Sequence, residues 1–166
     1  MIVKNVSRLA AALALVTLTA VSAQAQASMF TTQTVTFEVK PVNQIAFVGA
    51  PSLIITTAVA GSAPTSVTDA TATWAVTTNQ TTAKITASIP LAMPAGLTLS
   101  ANLTAPAVGT SAGLTALTTT PTDMVTGITK TNGSLLGITY KLDATSAAGV
   151  VASSTRVVTY TITGGT

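Results

Sequence analysis

Four carboxylates are the residues in this sequence best suited to acid–base chemistry, since the chain contains neither histidine nor cysteine. They lie far apart in the sequence, each beside a turn or at an outward position of a predicted strand: Glu38, Asp69, Asp123 and Asp143. Hydrolytic enzymes need a positioned base or a close pair of carboxylates. We therefore expect a protein that is not an enzyme, with no catalytic residues and no cofactor.

A calcium site is an alternative for three of these acids, because calcium binds carboxylate and carbonyl oxygens. The loops around Asp69, Asp123 and Asp143 could supply such oxygens. A dedicated calcium loop, however, carries several Asp or Asn residues at close spacing, and no segment of this sequence does. We predict no metal ligands.

Aromatic side chains offer a second kind of site, a platform for carbohydrate. The candidates are Phe37, Phe47, Trp74, Tyr140 and Tyr160. All of these except Phe47 fall on the apolar face of a predicted strand, which favours a place in the hydrophobic core. A carbohydrate platform therefore remains the weaker interpretation.

The first 27 residues have the pattern of a cleaved signal peptide. Lys4 and Arg8 provide positive charge before an apolar run over residues 9–21, and small residues then allow cleavage after Ala25 or Ala27. The apolar run is shorter than the roughly 20 residues that span a bilayer. We expect a secreted protein, located outside the cell or on its surface after passing any periplasm, with no membrane span left after cleavage.

The remaining chain, residues 28–166, is nearly neutral. It carries five basic and four acidic residues, a net charge of +1. The basic residues are scattered singly, so we expect no nucleic-acid partner, which would require clustered Lys and Arg. Roughly a quarter of these residues are threonine, and only 7% of the whole chain is charged. Such a surface has little charge repulsion and favours self-association.

Apolar and polar residues alternate with a period of two through most of this chain, as in half-buried β-strands. The central example is residues 71–78, which place Ala72, Trp74 and Val76 on one face. The pattern predicts strands over residues 34–40, 44–48, 53–59, 71–78, 83–89, 97–103, 114–118, 124–129, 136–142 and 156–163.

About nine or ten strands at even spacing predict a single antiparallel β-sandwich of immunoglobulin-like or jelly-roll topology over residues 28–166. The polar link of residues 79–82 predicts a hairpin, and Asn132 with Gly133 predicts a tight turn. The predicted core residues are Trp74, Ile85, Leu97, Leu99, Ile138, Tyr140, Val158 and Tyr160.

The signal peptide, the Thr/Ala/Val-rich composition and the alternating segments 34–40 and 156–163 give the chain a layout that resembles small exported bacterial β-sandwich subunits of surface filaments. These include the pilin-like and biofilm-fibre subunits. The resemblance implies that a terminal strand of one subunit completes the sheet of the next. The segment expected to be donated is Met29 to Val39, with Val35, Phe37 and Val39 as its anchors; pairing of this strand within its own domain is the alternative.

Together these observations predict a secreted, non-enzymatic structural protein that associates with itself at the cell surface or in an extracellular filament or matrix. The alternative is a monomeric extracellular β-sandwich that binds carbohydrate or another ligand. That alternative requires an exposed aromatic side chain or a polar pocket.

Overall fold

The computed structural model describes residues 29–165. Residues 29–37 belong to a different unit from residues 38–165 and contain neither helix nor strand. The predicted signal peptide lies outside the described residues. The strands of the described chain are β1 (Asn43–Val48), β2 (Val67–Thr78), β3 (Ala83–Ser88), β4 (Leu97–Leu103), β5 (Thr110–Ser111), β6 (Thr115–Ala116), β7 (Thr122–Ile128), β8 (Thr131–Ala144) and β9 (Thr159–Thr163).

The fold is all-β and sandwich-like, with two antiparallel sheets. The first sheet has the strand order β1-β2-β8-β4-β6, and the second has the order β5-β7-β3-β9. A short 3-10 turn at Ser146–Ala148 precedes β9. The strands of both sheets alternate buried and exposed residues, so each sheet turns one apolar face inward.

The core forms around Trp74 in β2, whose side chain is only 1% exposed. Its indole Nε1 donates a hydrogen bond to the carbonyl oxygen of Thr104 at 3.2 Å, so the polar atom of this buried ring has a partner. Ile85 and Ile138 contribute fully buried side chains from β3 and β8. The alternation seen in the sequence thus brings these strands together around one ring.

The strands pair in a nested order. In the first sheet β4 pairs with β6, and β2, which precedes both of them in the sequence, pairs with β8, which follows both. β3 pairs with β7 in the second sheet. The predicted hairpin at residues 79–82 is therefore wrong, because this link carries the chain from one sheet to the other. Alternation specifies which side chains face the core, and a hairpin and a crossover satisfy it equally.

The predicted turn at Asn132 and Gly133 is also wrong. Both residues lie inside β8, where Gly133 is opposite Val76 of β2. The chain bends earlier, at Lys130, which has a φ of 40° and lies in the link from β7 of the second sheet to β8 of the first. An Asn-Gly pair tolerates a tight turn without requiring one, and here the ladder with β2 keeps it extended.

No regular strand forms over residues 53–59, so this prediction is wrong; only an isolated bridge joins Ala58 to Pro64. The β1–β2 ladder ends at Val48, opposite Thr73. Beyond that point the carboxylate of Asp69 accepts the hydrogen bond of the Ser52 amide at 2.9 Å. A side chain therefore takes the place of a neighbouring strand at this amide.

Residues 34–40 also form no strand in the described chain. A strand exists only where another strand accepts and donates its main-chain hydrogen bonds. The last predicted strand, residues 156–163, is shorter than expected and begins at Thr159. Its partner β3 ends at Ser88, shortly before Pro90, which has no amide hydrogen to donate.

Candidate functional site

The four acids do not meet at one place. Asp123 pairs with Lys84 at 2.9 Å, and Asp143 pairs with Lys141 at 2.8 Å. Glu38 makes no ion pair within residues 29–165. The described chain also contains no group of three or more His, Cys, Asp or Glu side chains placed to hold a metal ion.

Asp69 has a structural role at the end of the β1–β2 ladder. One carboxylate oxygen accepts hydrogen bonds from the hydroxyl and the amide of Thr71, at 2.6 and 2.8 Å, while the other accepts from the Ser52 amide. The Thr71 hydroxyl, with these two amides, holds the pKa of Asp69 below its usual value of 3.8. The carboxylate therefore holds the chain in place at Ser52.

Three aromatic rings stack where the edges of the two sheets approach each other. Phe47 of β1 lies nearly parallel to Tyr160 of β9, with ring centroids 4.1 Å apart, and to Trp74, with centroids 6.1 Å apart. The aromatic rings pack on one another, which is unlike a row of side chains with free faces for sugars.

Two tyrosine hydroxyls meet beside this stack. The hydroxyls of Tyr140 and Tyr160 are 2.8 Å apart and share a hydrogen bond. Burial raises the pKa of Tyr160 far above its usual value, and the neighbouring Tyr140 raises it further. Burial also raises the pKa of Tyr140, against a smaller lowering by the hydrogen bond with Tyr160. Both groups are therefore neutral across physiological pH.

An open apolar trough adjoins the tyrosines. It consists of two adjoining cavities of about 620 and 630 Å³ that share Leu53, Met93, Leu142 and Ser154 in their walls. The trough runs from Ile45 of β1 to the first residue of β4 and the last of β8. Residues 51–58 and residues 149–158 form its two sides. The trough therefore opens onto apolar side chains of β1, β4 and β8.

Arg156 is the one charged residue that lines the trough. Its guanidinium donates to the carbonyl oxygens of Thr155, at 2.9 Å, and Ala92, at 3.3 Å. Its Nε is buried and has no hydrogen-bond partner within residues 29–165. A buried donor without an acceptor is costly, so Arg156 Nε is available to donate to an acceptor that the described residues do not supply.

The exposed N-terminal segment is the second unusual feature. The side chains of Val35, Phe37 and Val39 are 73%, 89% and 81% exposed. Soluble proteins rarely expose a row of large apolar side chains to water unless it forms an interaction site. The three residues that the sequence analysis assigned to an inter-subunit strand are thus accessible.

Asn79 fixes the point where this segment joins the sandwich. Its side-chain oxygen accepts from the Val42 amide at 2.8 Å, and its side-chain nitrogen donates to the Lys40 carbonyl at 2.8 Å. Its own amide donates to the Val42 carbonyl at 3.3 Å. The backbone is therefore held at residues 40–42, immediately before β1.

The predicted core residues divide into two groups. Trp74, Ile85, Leu99, Ile138 and Tyr140 are buried. Leu97, Val158 and Tyr160 are half-buried, and each lines the trough. Sequence reasoning missed the trough itself, together with Met93, Asn79 and the role of Arg156. Alternation over residues 156–163 could have indicated that Arg156 faces the same side as Val158.

Neither a protein-family model, nor a curated protein, nor a solved structure shows detectable similarity to this chain. Within residues 29–165, no helix is long and apolar enough to cross a membrane.

Proposed function

We propose that this chain is a secreted structural protein that assembles with copies of itself, each copy donating residues 34–40 as a strand to the next. One observation carries the proposal: these residues alternate apolar and polar side chains, belong to no strand, and leave Val35, Phe37 and Val39 largely exposed. A strand with the right pattern and no partner is suited to pair with another chain. The nearly neutral surface supports close packing of copies.

The strand order supports a jelly-roll topology for the sandwich. In this topology the chain folds back on itself, so that early strands pair with late ones. The nested pairs β2–β8 and β4–β6 in one sheet and β3–β7 in the other follow that order. On this interpretation β1 and β9 are additions at the edges of the two sheets.

Self-assembly is tested by comparing the mature protein with the variant Phe37→Asp in sedimentation and negative-stain electron microscopy. We expect the unmodified protein to form oligomers or filaments and the variant to stay monomeric. Thr36→Asp is the matched control, because it adds the same charge on the opposite face of the same segment. Equal assembly by all three proteins would contradict donation of this segment.

Secretion is tested separately by sequencing the N-terminus of protein recovered outside the cells. Cleavage after Ala25 or Ala27 predicts a first residue of Gln26 or Ser28. Protein that keeps residue 1 and stays in the cell would contradict this part of the proposal.

The trough supports a second candidate function, a monomeric ligand-binding protein. Each of its two cavities has a volume within the range of ligand pockets, and Phe47, Tyr140 and Tyr160 contribute to the walls of one of them. A screen of glycans and apolar ligands against the monomeric Phe37→Asp variant tests this candidate. Saturable binding by that variant, without any assembly of the unmodified protein, would favour it.

A further inference from the structure

On the basis of the self-assembly proposed above, we propose that the trough is the seat for residues 34–40 of a second copy of this chain, with Arg156 as the residue that binds the inserted strand. The proposal adds an acceptor site to the donor segment. It rests on the apolar lining, the unpaired main chain on both sides, the unpartnered Arg156 Nε and the positions of the two sites in the fold.

The donor and the trough match in apolar character. In a strand, Val35, Phe37 and Val39 lie on one face at intervals of about 7 Å, and residues 34–40 extend for about 23 Å. The trough is elongated, and its walls carry Leu53, Met93, Leu99, Leu142 and Val158. A single small ligand would occupy part of this length, whereas a strand would follow it.

Both sides of the trough have main-chain groups available for pairing. Residues 150–156 make no hydrogen bond to another backbone group within the described chain. On the other side, Leu53 and Ile55 are half-buried between exposed neighbours, yet residues 51–56 form no ladder. Residues 52–56 therefore alternate as a strand does, and both stretches lack a neighbouring strand. An inserted strand supplies one.

Arg156 favours a peptide over a purely apolar molecule as the ligand of the trough. Its buried Nε needs an acceptor, and a strand brings a carbonyl oxygen every residue, which an alkyl chain does not. The charges are also complementary. Arg156 is the only charged residue in the lining, no acidic residue lies there, and Glu38 of the donor has no ion pair in its own described chain.

The positions of donor root and trough predict head-to-tail assembly. Asn79 holds residues 40–42 at the end of the sandwich where Asn43 is opposite Thr78. The far mouth of the trough lies where Leu97 is opposite Ala144, at the other end of the 12-residue strand β2, roughly 35 Å away. A segment leaving one end and entering the other makes a heterologous contact, which extends without closing.

The test uses a pair of complementary variants of the full mature protein. Phe37→Asp disables the donor and leaves the trough intact. Ser154→Trp fills the trough at an exposed residue that lines both cavities, and leaves the donor intact. Each variant alone should stay monomeric at concentrations where the unmodified protein assembles, with association at least about tenfold to a hundredfold weaker, because Phe37→Asp removes a buried aromatic contact and Ser154→Trp blocks its seat. Mixed together, they should form one-to-one heterodimers that grow no further.

The control for the trough variant is Ser134→Trp, which places the same side chain at an exposed serine of β8 outside the trough. It should assemble as the unmodified protein does. Melting temperatures and circular dichroism of all variants exclude misfolding. Arg156→Gln should weaken association about tenfold while Lys130→Gln, a cation outside the trough, leaves it unchanged.

The outcomes separate the two proposals. If Phe37→Asp abolishes assembly and Ser154→Trp does not, self-assembly stands and the trough is not the seat. If the unmodified protein remains monomeric at high concentration, the proposed function fails, and the acceptor proposal fails with it.

A disulfide trap tests the same contact directly, because the described chain has no cysteine of its own. The variant carrying Val35→Cys and Ser154→Cys, both on the surfaces proposed to meet, should form disulfide-linked ladders of several copies under oxidising conditions. A disulfide within one chain would overturn the proposal, since it would show the segment seated in its own trough. The single variants should yield only dimers at most.

Discussion

Residues 34–40 and the strand β9 both alternate threonine with apolar side chains, yet only β9 has a partner strand. Thr159–Thr163 pairs along its length with β3, and its Tyr160 and Ile162 are half-buried. Phe37, an apolar residue in the alternating pattern of residues 34–40, is 89% exposed. The comparison teaches that alternation gives a segment the capacity to pair, while the neighbouring backbone decides whether it does.

The largest expected effect is a difference in the free energy of unfolding between a variant of the paired strands and a variant of residues 34–40. Ile85 is fully buried in β3, between β7 and β9, so Ile85→Ala should lower the free energy of unfolding by about 2–5 kcal/mol. Phe37→Ala in the monomeric protein should change it by less than about 0.5 kcal/mol. Urea unfolding at low protein concentration measures both. Similar losses for the two variants would break the comparison.

Removing one hydroxyl of the tyrosine pair should lower the free energy of unfolding by less than Ile85→Ala does. Tyr160→Phe leaves the buried Tyr140 hydroxyl without its partner and should cost about 1–3 kcal/mol. Urea unfolding again measures the loss, with Tyr140→Phe as the reciprocal variant. A neutral result for both would mean that the hydroxyl pair does not hold β9 in place.

The same pair predicts a pH dependence. Because folding raises the pKa of both tyrosines, their contribution to stability is complete below the unfolded value of about 10 and is lost as the pH rises above it. The double variant Tyr140→Phe/Tyr160→Phe should lose that part of the alkaline decline. These are the only tyrosines of the chain, so tyrosinate absorbance reports on this pair alone. Ionisation near pH 10 in the folded protein would contradict the prediction.

The smallest effect concerns the root of the unpaired segment. Asn79→Ala removes two side-chain hydrogen bonds to residues 40–42, so it should cost about 0.5–1.5 kcal/mol. Hydrogen exchange at the Val42 amide should become faster, while exchange in β9 remains unchanged. Asn132→Ala, at an exposed asparagine of β8, is the matched control. Faster exchange in both variants would show a global rather than a local loosening.

Much of the fold could be predicted from local pattern. Leu97–Leu103 has the predicted bounds, and the alternation around Trp74 correctly indicates an all-β, sandwich-like protein. The pairing of strands could not be predicted this way. The link over residues 79–82 and the Asn132-Gly133 pair satisfy both a hairpin and the observed arrangement, because sheet partners are chosen by contacts far away in sequence.

The candidate site divides in the same manner. The exposed anchors Val35, Phe37 and Val39 follow from alternation alone, and so does the inward direction of Val158 and Tyr160. The trough depends on where ladders end: at the Asp69 carboxylate on one side and shortly before Pro90 on the other. The Asp69 ending has no local signal in the sequence, whereas Pro90 indicates where β3 ends but not which strand ends with it.

The nested pairing of β2 with β8 has a consequence for the rate of folding. More than 50 residues separate β2 from β8 in the sequence. Pairing these strands closes that loop, and the loss of chain entropy comes before the stabilising contacts form. The shorter β4–β6 connection can close first, and the outer pairs can then add to it. We expect slow folding, on the order of milliseconds to seconds, as for other sheets dominated by contacts distant in sequence. Until β8 arrives, β2 presents an unpaired edge.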